Sequence, residues 1–141
     1  MSIETQRLLV FDVSGLRYAV NLEDVAEILE PSPTFPVPRV SPVFLGATNF
    51  HGRVVVVLDL AAFFDTGAFT EGGKYVVLDR ELANLALAIG ANVNIVTSDV
   101  ILEEEESSDP LVGKIFVMAD GEVNLLETER LLLHLEELLH G

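Results

Sequence analysis

Apolar residues along this chain recur with a period of two, in short segments separated by turn residues. That rhythm admits strands and little else. Leu8-Leu9-Val10-Phe11-Asp12-Val13 reads as a strand, Ser14-Gly15 as a turn, and Arg17-Tyr18-Ala19-Val20 as the partner strand. Leu22 to Leu29 reads as one helical turn running into a strand. Five of the six prolines then fall between Pro31 and Pro42. Proline donates no backbone hydrogen bond, so this stretch is neither regular helix nor central strand. It is expected to be an extended connection, packed over the surface by Phe35 and Val37.

Val43 to Asn49 regains strand character, and His51-Gly52-Arg53 marks a turn. Val54 to Leu58 is aliphatic throughout, which predicts a strand buried on both faces. Asp59 to Phe64 predicts a short helix with Asp59 as its N-cap. Strands are expected at Lys74–Leu78, Leu85–Ile89 and Val93–Val96, and Glu103 to Asp109 reads as a polar loop. Ile115–Met118 and Val123–Leu126 form a hairpin about Asp120-Gly121. The chain closes in a helix, Glu129 to Leu139, with positions 131, 132, 135, 138 and 139 on one apolar stripe. Roughly ten strands with no βαβ rhythm give a mostly-β class, and the spacing suits small closed barrels.

Charge narrows the partners. Twenty-three acidic residues against eight basic ones leave a net charge of -15. Nucleic-acid and anionic membrane surfaces need a basic stripe, which is absent, so neither is an expected partner. The acidity disfavours self-association and points to a monomer in isolation. No apolar run approaches the ~20 residues that span a bilayer. Met1 to Arg7 does not read as a signal peptide. The chain has no cysteine, which removes disulfides and thiolate chemistry and accords with the cytoplasm.

One triplet has an enzymatic look. Asp65-Thr66-Gly67 is similar to the aspartic-protease triplet, whose chemistry needs two aspartates sharing a proton. The same tripeptide is also ordinary turn chemistry closing a short helix. His51, His134 and His140 have no metal-ligand spacing, and Glu103 to Glu106 lacks the ligand alternation of a calcium loop, so no metal site is expected. His134 and His140 are expected on the solvent side of the last helix.

The segment from Gly46 to Leu60 resembles the CheW family pattern G-x-x-N-x-R-G-x-x-x-P-V-x-D-L. Gly46, Asn49, Gly52, Val57, Asp59 and Leu60 match it. Around it, Leu9-Val10-Phe11 and Tyr18-Ala19-Val20 resemble the family's opening hairpin, and Val25-Ala26-Glu27-Ile28 its V-x-E-I/V segment. Pro38 and Pro42 fall in its proline-bearing connection. Leu111-Val112-Gly113, Leu125-Leu126 and Arg130-Leu131-Leu132 resemble its closing pattern, so the likeness runs from about Leu8 to Leu135. Three departures stand out. His51 replaces the motif arginine, Val56 replaces the motif proline, and Gly90-Ala91-Asn92-Val93 stands where the family has V-D-x-V.

The resemblance implies two intertwined SH3-like five-stranded barrels with short helices and a C-terminal helix. The whole chain, 1–141, would be one CheW-like domain: about 8–72 the first barrel region, 73–126 the second with strands partly exchanged, and 127–141 the helix. It implies a cytoplasmic adaptor without catalysis or cofactor, coupling the cytoplasmic tip of a chemoreceptor to the regulatory domain of a CheA-type histidine kinase. The same module in a kinase pathway outside chemotaxis is the other reading. Val25, Glu27 and His51 fall at partner-facing positions of the family. Gly46, Asn49, Gly52, Asp59 and Leu60 are motif residues with structural parts to play: Asn49 and Gly52 shape the turn, and Asp59 caps the short helix.

Overall fold

The computed structural model describes residues 5–38 and 40–140. The described residues form eleven strands and two α-helices. The strands are β1 (Arg7–Val13), β2 (Leu16–Asn21), β3 (Val25–Leu29), β4 (Phe44–Phe50), β5 (Arg53–Asp59), β6 (Lys74–Leu78), β7 (Leu85–Ile89), β8 (Val93–Thr97), β9 (Glu103–Glu106), β10 (Val112–Met118) and β11 (Gly121–Leu126). The helices are α1 (Leu60–Phe63) and α2 (Thr128–His140). A 3₁₀ turn at Leu22–Asp24 runs straight into β3, as the sequence suggests.

The strands divide into two sheets. One has the order β8-β1-β2-β11-β10-β9, the other β3-β6-β7-β5-β4. The middle of the chain therefore builds one sheet, and its two ends build the other. The division expected near 72/73 does not separate them, because β5 and β6 lie on either side of it in the same sheet. Two parallel pairings, β11 with β2 and β5 with β7, join strands distant in sequence. Local periodicity carries no information about such pairs.

Alternation explains how both faces of a strand are buried. Leu8 and Val10 of β1 point into a cluster with Ala19, Phe116, Met118 and Val123, all from the same sheet. Leu9, Phe11 and Val13 point the other way, into a core shared with Leu58, Val76, Leu78, Leu87 and Ile89 of the second sheet. In that sheet Ala86, Ala88, Val55, Val57, Tyr75 and Val77 form a third cluster of their own. A sheet that buries one face on itself must curl, so each encloses a small interior, and the shared core is the joint between them. α2 caps this joint with Leu131 and Leu135. Truncating a residue as deep as Leu87 would cost about 2–5 kcal/mol.

The proline-rich segment closes the second barrel. β3 and β4 are the outer strands of their sheet, yet the chain leaving β3 returns along β4. Phe35 and Ala47 exchange two backbone hydrogen bonds of 2.8 Å. The Ser32 hydroxyl lies 3.0 Å from that of Thr48, which donates to the Pro33 carbonyl at 3.2 Å. Gly46 makes this approach possible: it has φ +136°, and a Cβ there would stand 2.5 Å from the Phe35 carbonyl oxygen.

Four expectations are corrected. Glu103–Glu106 is strand β9 rather than loop, because pairing with β10 supplies backbone bonds while all four side chains stay in water. Lys114 of β10 offsets some of the repulsion, its ammonium 2.9 Å from Glu104. Val54–Leu58 is not buried on both faces. Val55, Val57 and Leu58 are buried, but Val54 is 53% exposed and Val56 half-buried. The shared core covers only the Leu58 end of the outer face. On α2, Leu138 is exposed rather than part of a buried stripe, since the helix runs past the barrel surface. Finally, ten expected strands are eleven, β9 being the addition. His134 is exposed as expected; the side chains of Leu139 and His140 lie outside the described residues.

Candidate functional site

The β4–β5 hairpin carries most of the motif, and its turn is made of two residues with positive φ. His51 has φ +48° and Gly52 φ +85°, with Phe50 and Arg53 paired across the base. Such a turn matches the right-handed twist of the strands and asks for left-handed backbone at both positions. Glycine takes it freely. For His51 it is an uncommon conformation, held by the tight turn. The Asn49 side-chain oxygen accepts the Gly52 N–H at 3.1 Å, fixing the loop from within.

Held in this way, the imidazole stands out from the barrel, its side chain 73% exposed. Its edge meets the Phe50 ring, with centroids 4.4 Å apart. Its Nε2 lies 3.6 Å from Oε1 of Glu27 on β3, a side chain that is 46% exposed. Barrel closure thus brings together Glu27 on β3 and His51 in the β4–β5 turn, which are far apart in the chain. In such open surroundings the pair contributes about 0–1 kcal/mol, so its importance lies in the surface it displays. Val25 is different. It pairs with Leu78 and is half-buried against the shared core, turned away from the exposed pair.

Asp59 and Leu60 occupy the far end of β5. Oδ1 of Asp59 accepts the Ala62 N–H at 3.3 Å, capping α1, and Oδ2 accepts the Phe69 N–H at 2.9 Å. Leu60 is fully buried in the shared core. Asp65 follows α1 with φ +58° and is exposed. Its N–H donates to the Ala62 carbonyl at 3.1 Å, and the Thr66 N–H donates to that of Ala61 at 2.9 Å. That pair of bonds is a Schellman closure of the helix. The Asp-Thr-Gly triplet therefore serves as turn chemistry, one of the two parts the sequence allows it. Among the described residues no cluster of side chains could hold a metal ion.

Two features escaped the sequence reading. Arg53 donates to Oδ1 of Asn84 at 2.6 Å and to the Leu78 carbonyl at 3.2 Å, while lying over the Phe50 ring at 5.3 Å. It ties the hairpin to the β6–β7 loop. Beside that loop a groove of about 280 Å³ is lined by Phe44, Val56, Leu82, Leu85, Leu132 and Leu135, with Asn84 and Glu136 at its polar positions. Half-buried Val56 faces this groove. Neither feature has a local signal, because each joins segments from different parts of the chain.

Residues 7–139 match the CheW-like domain family. The chain belongs to the CheW-like family. Among relatives, FrzA of Myxococcus xanthus is 26% identical over 136 residues, covering 90% of this chain and 85% of FrzA. A probable chemotaxis protein CheW of Rhizobium etli is 24% identical over 110 residues, 75% of this chain and 71% of that protein. The crystal structure of the scaffolding protein TtCheW from Thermoanaerobacter tengcongensis matches with a TM-score of 0.74 over 88% of this chain and 90% of its own, at 17% identity. That likeness concerns the fold, and it agrees with the mostly-β, two-sheet architecture expected of the CheW-like chain. Family membership points to an adaptor rather than an enzyme. No described helix is long and apolar enough to cross a membrane.

Proposed function

We propose that this CheW-like chain is a cytoplasmic, non-enzymatic signalling adaptor that needs no cofactor. It couples the cytoplasmic tip of a chemoreceptor to the regulatory domain of a CheA-type histidine kinase. The observation that carries this reading is the meeting of Glu27 and His51 on an exposed surface, 3.6 Å apart, at two positions that resemble partner-facing positions of the family. Arg53 braces the hairpin that carries His51 against the loop that lines the apolar groove, so a polar turn and an apolar cleft are joined through Asn84. An amphipathic helix uses that combination: apolar side chains enter the groove, and polar ones read the rim. Imidazole in place of arginine alters the charged half of that contact. Arginine is permanently charged and forks onto carboxylates, whereas histidine is shorter and changes charge near neutral pH.

The test is calorimetric binding of the full chain to the kinase regulatory domain and to a receptor-tip helical hairpin from the same genome. At least one should bind, and Glu27→Lys with His51→Glu should weaken that binding while the circular dichroism spectrum is unchanged. Failure of both partners to bind, or binding indifferent to the charge reversal, overturns the proposal.

A further inference from the structure

The first sheet ends in two edge strands of opposite character. β9 carries a glutamate at every one of its four positions, all exposed. Charge along an edge is a usual means of preventing another strand from adding to it. β8, at the other end of the strand order, is Val93-Asn94-Ile95-Val96-Thr97, with no charge and no proline. Its pairing with β1 is in continuous register from Thr97 to Val93, so no bulge blunts it either. Antiparallel pairing turns alternate N–H and C=O groups away from the neighbour. Among the described residues the outward groups of β8 have no backbone partner.

Side chains beside this edge are also uncovered. Ile95, opposite Leu9 of β1, is 55% exposed. On the other face, a groove of about 230 Å³ is lined by Asn94, Val96 and Val100, and Val100 is itself exposed. An aspartate stands at each end of the strand. Asp12 accepts the Asn92 N–H at 2.9 Å, and Asp99 accepts the Thr97 hydroxyl.

We propose that the free edge of β8 docks an extended segment of another protein. That segment has aliphatic side chains at alternate positions, over a core matched to the five residues of β8, and a Lys or Arg at each flank. Backbone bonds to the edge supply the pairing; the aliphatic side chains, all on one face, cover Ile95, and the intervening side chains lie against Val100 on the other face. The basic flanks meet Asp12 and Asp99. A second copy of this chain is a poor occupant: antiparallel pairing of two β8 edges would set Asp12 of one beside Asp99 of the other, between bodies that each carry a charge of -15. This surface belongs to the first barrel and does not depend on the hairpin and groove of the second.

The probe is the synthetic peptide Lys-Val-Thr-Val-Thr-Val-Lys, titrated into the isotope-labelled full chain while backbone amide shifts are followed. The expected result is saturable shifts confined to Val93–Thr97 and Val100. Ile95→Lys and Val100→Lys, both at exposed positions, should each weaken the peptide by about tenfold or more. Replacing its lysines by glutamates should do the same. Shifts centred on β9 or on the α2 groove overturn the proposal, as does equal affinity for the glutamate-flanked peptide. So does a dimer in sedimentation that Ile95→Lys returns to monomer, since the occupant would then be a second copy.

Discussion

Replacing Asp59 by alanine tests whether this motif residue acts through the fold. Asp59 is 4% exposed, and its carboxylate accepts two backbone N–H groups, Ala62 at the start of α1 and Phe69 in the loop beyond it. Loss of an N-cap costs about 1 kcal/mol. Leaving the part-buried Phe69 N–H without an acceptor adds about 1–2 kcal/mol, the lower part of the range for an orphaned donor. Asp59→Ala should therefore destabilise the protein by about 2–3 kcal/mol. With a urea m-value of about 2–3 kcal/mol per molar, the midpoint should fall by about 1 M with unchanged slope. Asp59→Asn retains one acceptor oxygen and should lose about half as much. Equilibrium urea unfolding followed by circular dichroism measures both. A midpoint shift under about 0.3 M for Asp59→Ala would refute the argument that these two bonds hold the α1 corner.

Three further outcomes are expected. Val55→Asp should cost several kcal/mol by placing a carboxylate inside the second barrel, whereas Val54→Asp, one position earlier on the open face, should change stability by less than about 0.5 kcal/mol; equal effects in thermal melts would contradict the alternation of β5. Burial raises the Tyr18 phenol above its ordinary value of 10.0, and the Asp109 carboxylate raises it further. Its stabilising contribution is complete below about pH 10, where the phenol is neutral in both states, and is lost as pH climbs towards the folded value. Tyr18→Phe should flatten the fall in stability above pH 10, measured relative to its own neutral-pH value. Asp65→Asn should leave urea stability within about 0.5 kcal/mol of the parent, because the helix closure uses the Asp65 backbone, and loss of a measurable peptidase activity in that variant would restore the enzymatic reading.

Most strands and both helices could be read directly from the sequence, because each rests on a local rule. Alternating Leu, Val and Phe set the faces of β1 and β2, Asp59 capped its helix, and the prolines kept residues 31–38 and 40–42 out of any central strand. The resemblance also marked His51 as a departure from the motif and Glu27, in a separate segment, as a partner-facing position. What local rules missed was cooperative. Four adjacent glutamates look like a loop until β10 offers them a partner. An aliphatic run looks buried throughout until the curl of the sheet leaves Val54 outside.

From the sequence alone came the mostly-β character, the break at the prolines, the acidic balance, and the family likeness. Each is a property of neighbouring residues or of composition. Tertiary structure decided which strands share a sheet, that Glu27 meets His51, that Arg53 braces the hairpin through Asn84, and that β8 remains an uncharged free edge. Those outcomes depend on the closing of two curled sheets around separate interiors, which sets residues distant in the chain within a few ångströms of one another.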